Sequence, residues 1–351
     1  MCSSRSPDPT RTAIELNPTQ AGGPRAIATF RSFRNTDPPA LADLWNRATP
    51  DRGIVRPLTA HEFDALAIGR VGFERDGLIV AEEIDGDRCR MVGFAHAGFG
   101  PSEPRGPSHR LDTTMGTVAM LLIQPERDDP ELEVGLFREA ERFLRSRGAK
   151  VIYAGGQPPL DPFYRGLYGG SEFAGVLDSH ATFVRAALRA GYEPVAKTIL
   201  LEADLSRPEP RDPKAPLLRR QSRLVITDDA RMPGWWDAQA LGLFRPSRFQ
   251  LVERSVNAPI ANAWTWEIAG GYGVGDGKSR TGLIDLEVTP DYRRKGFGRH
   301  FVAEIMRRVR EQNTDVISTQ TSAENLPALG LYASLGFDPV DSATLYRLPA
   351  G

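Results

Sequence analysis

The chain has 351 residues, 40% hydrophobic and 25% charged, with a formal net charge of −1. These proportions are ordinary for a globular protein, the length favours two domains, and the missing basic excess argues against nucleic acid or a membrane surface as partner. Only Cys2 and Cys89 carry thiols, too few for a disulfide framework or a Cys/His metal cluster, so no metal is expected and a reducing cytoplasm is.

Residues 1–25 are rich in Ser, Pro and Thr, lack a signal-peptide core and read as a disordered tail; no apolar run of membrane-spanning length occurs anywhere. From Ala26 the elements alternate. "AIATFRSF" reads as a strand and "PPALADLWNRA" as a helix, with Leu41, Leu44 and Trp45 at helical spacing. "GLIVAEE" and "RMVGFAHA" are β-runs joined at Asp85-Gly86, a hairpin signal. The strand "GTVAMLLIQP", an amphipathic helix ending at Gly148 and the strand "AKVIYAGG" follow. A segment rich in Gly and aromatic residues, "GGQPPLDPFYRGLYGGSEFAGVLD", precedes a helix around "ATFVRAALRAGY" and is suited either to shape a pocket or to cover an interface.

Residues 206–216, "SRPEPRDPKAP", hold four prolines in eleven residues and read as a linker. Beyond it come the strand "RLVITDD", a helix at "GWWDAQALGLF", and the strands "FQLVER" and "IANAWTWEIA". Trp264 and Trp266 share a strand face, which suits a core more than a pocket wall. The loop "GGYGVGDGKSRTG" leads into "LIDLEV", a glycine loop, a helix to Arg310, the strand "DVISTQT", the short helix "NLPALGLYASLG" and a final hairpin.

The chain repeats itself. A shift of 165 places Leu121, Ile123 and Pro125 on Leu286, Val288 and Pro290, and Glu139, Arg142, Arg145, Val151 and Ile152 on Glu304, Arg307, Arg310, Val316 and Ile317. A shift of 145 places "GYEPV" (191–195) on "GFDPV" (336–340); the difference of 20 residues is the glycine-rich insertion. One domain type, an α/β unit with a mixed sheet, is therefore used twice.

The segment "VTPDYRRKGFGRHF" has the chemistry of an anion site. Glycines let backbone N–H groups approach a ligand, and a helix start adds partial positive charge. It closely resembles the acyl-CoA motif of the GNAT superfamily of N-acetyltransferases, Gln/Arg-x-x-Gly-x-Gly/Ala, with Arg293, Gly296 and Gly298 at the defining positions. "NLPALGLYASLGF" resembles the superfamily's second motif, with Asn325, Ala328, Leu331, Tyr332, Gly336 and Phe337 matching. The two-copy layout is similar to that of mycothiol synthase. Together the motifs imply two tandem GNAT-like domains, a degenerate one over 26–205 and a catalytic one over 217–351.

The resemblance implies acetyl-CoA as acyl donor, with its pyrophosphate over Arg293, Arg294, Lys295, Gly296, Phe297, Gly298 and Arg299 and its arm near Asn325. It also implies that backbone N–H groups near Leu286 or Val288 meet the carbonyl oxygen, and that Tyr332 protonates the departing thiolate. Asn325 equally suits a helix N-cap and Tyr332 a core position. Strand alternation puts Asp285 and Glu287 on one face and Leu286 and Val288 on the other, so either acid can serve as the base. His300 reads as a packing residue. In the first copy Asp128, Glu131 and Glu133 replace Arg293, Gly296 and Gly298, while His180 and Ala187 replace Asn325 and Tyr332; that copy is expected to bind no CoA. The expected acceptor is a small-molecule or peptide amine, and the expected state a monomer or weak homo-oligomer. The competing reading is a sensor that binds acyl-CoA or an amine without turnover.

Overall fold

Two copies of one strand–helix succession follow each other in the computed structural model, which describes residues 28–50, 54, 57–85, 88–125, 127–241, 244–268 and 276–350. The expected tail over 1–25, the Gly86 turn residue and much of the loop before "LIDLEV" lie outside these residues. The first copy comprises β1 (Thr29–Ser32), α1 (Pro38–Ala48), α2 (Ala60–Phe63), β2 (Leu78–Asp85), β3 (Arg88–Pro101), β4 (Leu111–Ile123), α3 (Pro130–Ser146), β5 (Val151–Ala154), β6 (Val176–Leu177), α4 (Ala181–Arg189) and β7 (Glu193–Asp204). The second comprises α5 (Ala215–Gln221), β8 (Ser222–Thr227), α6 (Trp235–Leu241), β9 (Ser247–Glu253), β10 (Pro259–Glu267), β11 (Arg280–Val288), α7 (Phe297–Glu311), β12 (Val316–Ser322), α8 (Leu326–Ala333) and β13 (Asp338–Arg347).

Local chemistry explains the helix limits. Prolines open α1, where a missing N–H costs nothing, and Leu41, Leu44 and Trp45 are buried along one face. Asp129 caps α3 by accepting from the Leu132 N–H at 3.1 Å. The repeat registers hold in three dimensions. At a shift of 165, β4 and β11 end together at Ile123 and Val288, and α3 and α7 at Ser146 and Glu311; at 145, β7 and β13 start together at Glu193 and Asp338.

Among the described residues the strands form one sheet in the order β1-β2-β3-β4-β5-β13-β7-β12-β11-β10-β9-β8, with β6 alongside β13. The terminal segment, expected as a hairpin, is the single strand β13. Its partner is β7 of the other copy, along a ladder from Asp338↔Glu202 to Arg347↔Glu193. Each copy thus gives its last strand away: β13 lies between β5 and β7, and β7 between β13 and β12. The cores record the same exchange. Leu201, Ala203 and Leu205 of the β7 end pack with Phe301, Ile305 and Ile317 of the second copy. Ala343 and Tyr346 of β13 pack in the core of the first.

Parallel strands β11 and β12 pair only from Arg280↔Val316 to Gly282↔Ser318, then part. The opening lies between two strands whose facing backbone groups are not used by a ladder. In the first copy β4 and β5 also part, after Val118↔Ala154. There Ala119 to Ile123 are all buried.

Candidate active site

The glycine loop meets the cleft at the start of α7. Gly296 is the N-cap at φ 94°, in the left-handed region, and no side chain caps the helix. The first-turn N–H groups therefore have no capping acceptor and are placed for an anion. Arg294 precedes it, also left-handed at φ 60°, exposed, and its guanidinium makes no hydrogen bond or ion pair among the described residues. Arg293 donates from Nε to the Val288 carbonyl at 2.8 Å. Arg299 is tied to the proline-rich segment through Asp212 at 2.9 Å. Two expected residues turn elsewhere: the Lys295 ammonium sits 5.9 Å from the Tyr292 ring centroid, and the Phe297 side chain is buried in the second core. Lys295 precedes α7, and neither it nor Phe297 lines the cleft, whereas Gly296 and Gly298 do.

The cleft, about 750 Å³, runs from this loop along β11 to α8. A bulge interrupts the ladder of β11, while Asp285 and Glu287 still alternate with Leu286 and Val288 as expected. Asn262 faces Glu287 and Trp264 faces Ile284, so Asp285 and Leu286 together oppose Ala263. Asp285 takes φ 50°, and Leu283 through Val288 all line the cleft. Asp285 and Glu287 are exposed, whereas Leu286 and Val288 rest on the second core. Past Gly282 the β11 backbone has no ladder partner on the edge turned toward β12.

Across the opening, Tyr332 of α8 is 4% exposed and lines the cleft. Its hydroxyl lies 3.4 Å from Thr319 Oγ1, and Thr319 donates to the Leu283 carbonyl at 3.0 Å. Removal from water pushes the Tyr332 pKa up, which keeps the phenol protonated. Asn325 caps α8, accepting from the Ala328 N–H at 3.3 Å and donating to Thr321 Oγ1 at 3.1 Å. It lines the cleft as well, so the capping and ligand-facing roles coexist.

Glu172, from the insertion of the first copy, also lines the cleft and was not anticipated. The insertion packs Phe163 on His96 with centroids 3.8 Å apart and Tyr164 on Trp45 at 5.5 Å, then crosses to the second copy. Gly166, at φ 79°, lies against Trp266, where an added Cβ would come within 2.3 Å of the indole. The Gln320 amide, oriented to place its nitrogen among acceptors, donates to the carbonyls of Glu172 at 3.0 Å and Gly169 at 3.1 Å. Buried Arg165 bonds Asp161 at 2.6 Å and Asp237 of α6 at 2.7 Å. Burial pushes the Glu172 carboxyl up to about 7, against the pull of Arg165 and with Asp285 adding to the rise. Asp285 is itself raised, mainly by desolvation, and pairs with Arg105 of the first copy at 3.3 Å. Nothing in the repeat could have signalled Glu172, because the insertion has no counterpart in the second copy.

The remaining candidates are structural. Trp264 and Trp266 are buried in the core. His300 is buried beside Glu304, at 3.8 Å. In the first copy Glu133, the counterpart of Gly298, is buried and bound by Arg185 at 2.6 Å and Arg189 at 2.7 Å. A closed ion cluster thus occupies the helix start that lies open in the second copy.

One mixed α/β unit used twice, its second copy parting beside an uncapped glycine-loop helix, has a tandem acyltransferase-type fold. Residues 234–337, within the second copy, match the acetyltransferase (GNAT) family. No curated protein matches the chain. Among solved structures, a tandem GNAT protein from the clavulanic acid biosynthesis pathway is 15% identical, with TM-score 0.64 over 93% of this chain and 99% of the other. A GCN5-related glucosamine N-acetyltransferase region of a fungal multi-domain GH3 β-N-acetylglucosaminidase is 16% identical, with TM-score 0.64 over 92% of this chain; the match spans only 38% of that one. A GCN5-related N-acetyltransferase from Sphaerobacter thermophilus is 15% identical, with TM-score 0.60 over 91% and 95% of the two chains. Among the described residues no helix is long and apolar enough to cross a membrane.

Proposed function

We propose that the second copy transfers an acetyl or other short acyl group from acyl-CoA to an amine by direct attack, and that the first copy binds no CoA. The observation that carries this reading is the uncapped N-terminus of α7 opening onto the cleft that Tyr332 lines from the other side. A pyrophosphate fits that start: Arg294 is unpaired among the described residues, and a Cβ on Gly298 would meet Val288 at 3.4 Å and Leu331 at 3.9 Å. Arg293, Arg299 and the backbone of Lys295 and Phe297 complete the phosphate end, with Asn325 beside the arm. Along β11, backbone N–H groups near Leu286 or Val288 stabilise charge on the carbonyl oxygen. Tyr332, kept protonated by burial, supplies a proton to the departing sulfur. Asp285 and Glu287 make the other end of the cleft acidic and draw a cationic amine toward it.

Thiol release from acetyl-CoA, followed on addition of a panel of primary amines, tests the reading. Amine-dependent release is expected. Acetyl-CoA binding without release for any amine would favour a sensor, and no acetyl-CoA binding would exclude both.

A further inference from the structure

We propose that Glu172, reaching across from the first copy, is the general base that deprotonates the acceptor amine. The inference rests on the transferase reading above and assigns the residue which that reading leaves open. It also gives the first copy a part in the chemistry, since a half without a CoA site completes the active site of the other.

Glu172 lines the same cleft as Asp285 and Tyr332, and its backbone is pinned to β12 by Gln320. The insertion is locked to α6 through Arg165 and Asp237, and lies on Trp266 with glycine contact. A side chain on so fixed a support suits proton transfer better than one on a loose loop. Arg165 is the cation nearest in effect to Glu172, but it bonds Asp161 and Asp237 instead. No described side chain forms a hydrogen bond or ion pair with the Glu172 carboxyl. By contrast Asp285 faces Arg105, and Glu287 is exposed at the strand end.

The surroundings set its basicity. Around Glu172 stand Arg165 and Asp161 on the insertion, Asp237 on α6, Asp285 on β11 and Tyr332 on α8. Three carboxyls against one shared guanidinium, together with burial, hold Glu172 near 7. That matches a base working at neutral pH. An alkyl ammonium enters; Glu172 takes one proton, and the nitrogen lone pair forms the N–C bond. The C–S bond breaks, sulfur takes the Tyr332 proton, and the second nitrogen proton restores the phenol. Glu172 then passes its proton to water. One proton is released per turnover, and nothing is oxidised or reduced.

The test uses the full chain. Infrared difference titration of wild type against Glu172→Gln reports the carboxyl directly and needs no acceptor. A midpoint near 7 is expected; one near the ordinary 4.3 or so of a free Glu would overturn the assignment. Thiol release from acetyl-CoA is then followed against pH with n-butylamine, 1,4-diaminobutane, glucosamine and glycylglycine. Wild type should lose kcat/KM as pH falls through about 7. Glu172→Gln should lower kcat on the order of 10²–10⁴-fold and abolish that limb, with acetyl-CoA affinity by calorimetry unchanged. Asp285→Asn and Glu287→Gln should keep the limb. Normal turnover by Glu172→Gln, or loss of the limb in either of the other two instead, would refute the role of Glu172. Failure of wild type to bind acetyl-CoA would fall on the transferase reading itself, whatever Glu172 titrates at.

Discussion

The side chains that matter most are those whose environment disagrees with their ordinary chemistry. Tyr332 matched a family motif in the sequence, so it could be read in advance; burial explains why it stays a phenol. Replacing it with Phe keeps the ring packing against Phe337, 5.2 Å away, and removes only the hydroxyl. Turnover should drop at least about ten-fold while acetyl-CoA affinity stays level; normal turnover would move the acid role to water. Glu172 could not be read in advance, because its importance comes from a chain crossing that no local pattern encodes. Its raised carboxyl makes a stability prediction that needs no substrate. The charged form is disfavoured in the fold, so the penalty is absent below the ordinary carboxylate range and grows as pH rises through about 7. Glu172→Gln should match wild type in urea unfolding near pH 4 and exceed it by about 1–2 kcal/mol at pH 8, after discounting for water in the cleft. Equal stability at both pH values would show an ordinary surface carboxyl.

Secondary elements were legible where a local rule governs them. The limits of α1, the glycine-loop helix and both repeat registers followed from proline placement, periodicity and spacing. The β11 bulge was not, since a left-handed Asp285 shifts the ladder register in a segment, "LIDLEV", that reads as a regular strand. The departure of β13 to the other copy was equally hidden, because strand partners are chosen by long-range packing. At the loop, two substitutions separate space from charge. Gly298→Ala adds a Cβ at ordinary contact distance and should keep the fold and most acetyl-CoA affinity. Gly298→Glu puts a carboxylate where phosphate would sit. Affinity should fall ten-fold or more, given roughly 1.5–3 kcal/mol for a lost charge-assisted contact. Equal affinities in calorimetry would remove the loop from the CoA site.

Across the whole molecule, strand exchange makes the two copies one folding unit. A chain ending near Pro208 would lose β13 from between β5 and β7 and leave β7 without either neighbour. We expect the full chain to unfold in one cooperative calorimetric transition and the truncated one not to fold; two separate transitions would show independent halves. The same unity lets one copy carry the donor site while the other supplies Glu172. The central claim is that the second copy alone holds acyl-CoA, since the first has Glu133 with Arg185 and Arg189 where the second has Gly298. Titrating the full chain with acetyl-CoA in a calorimeter tests it most directly. We predict one molecule bound per chain, with affinity at least about ten-fold weaker in Gly298→Glu; two molecules bound, or undiminished binding in that variant, would contradict the account.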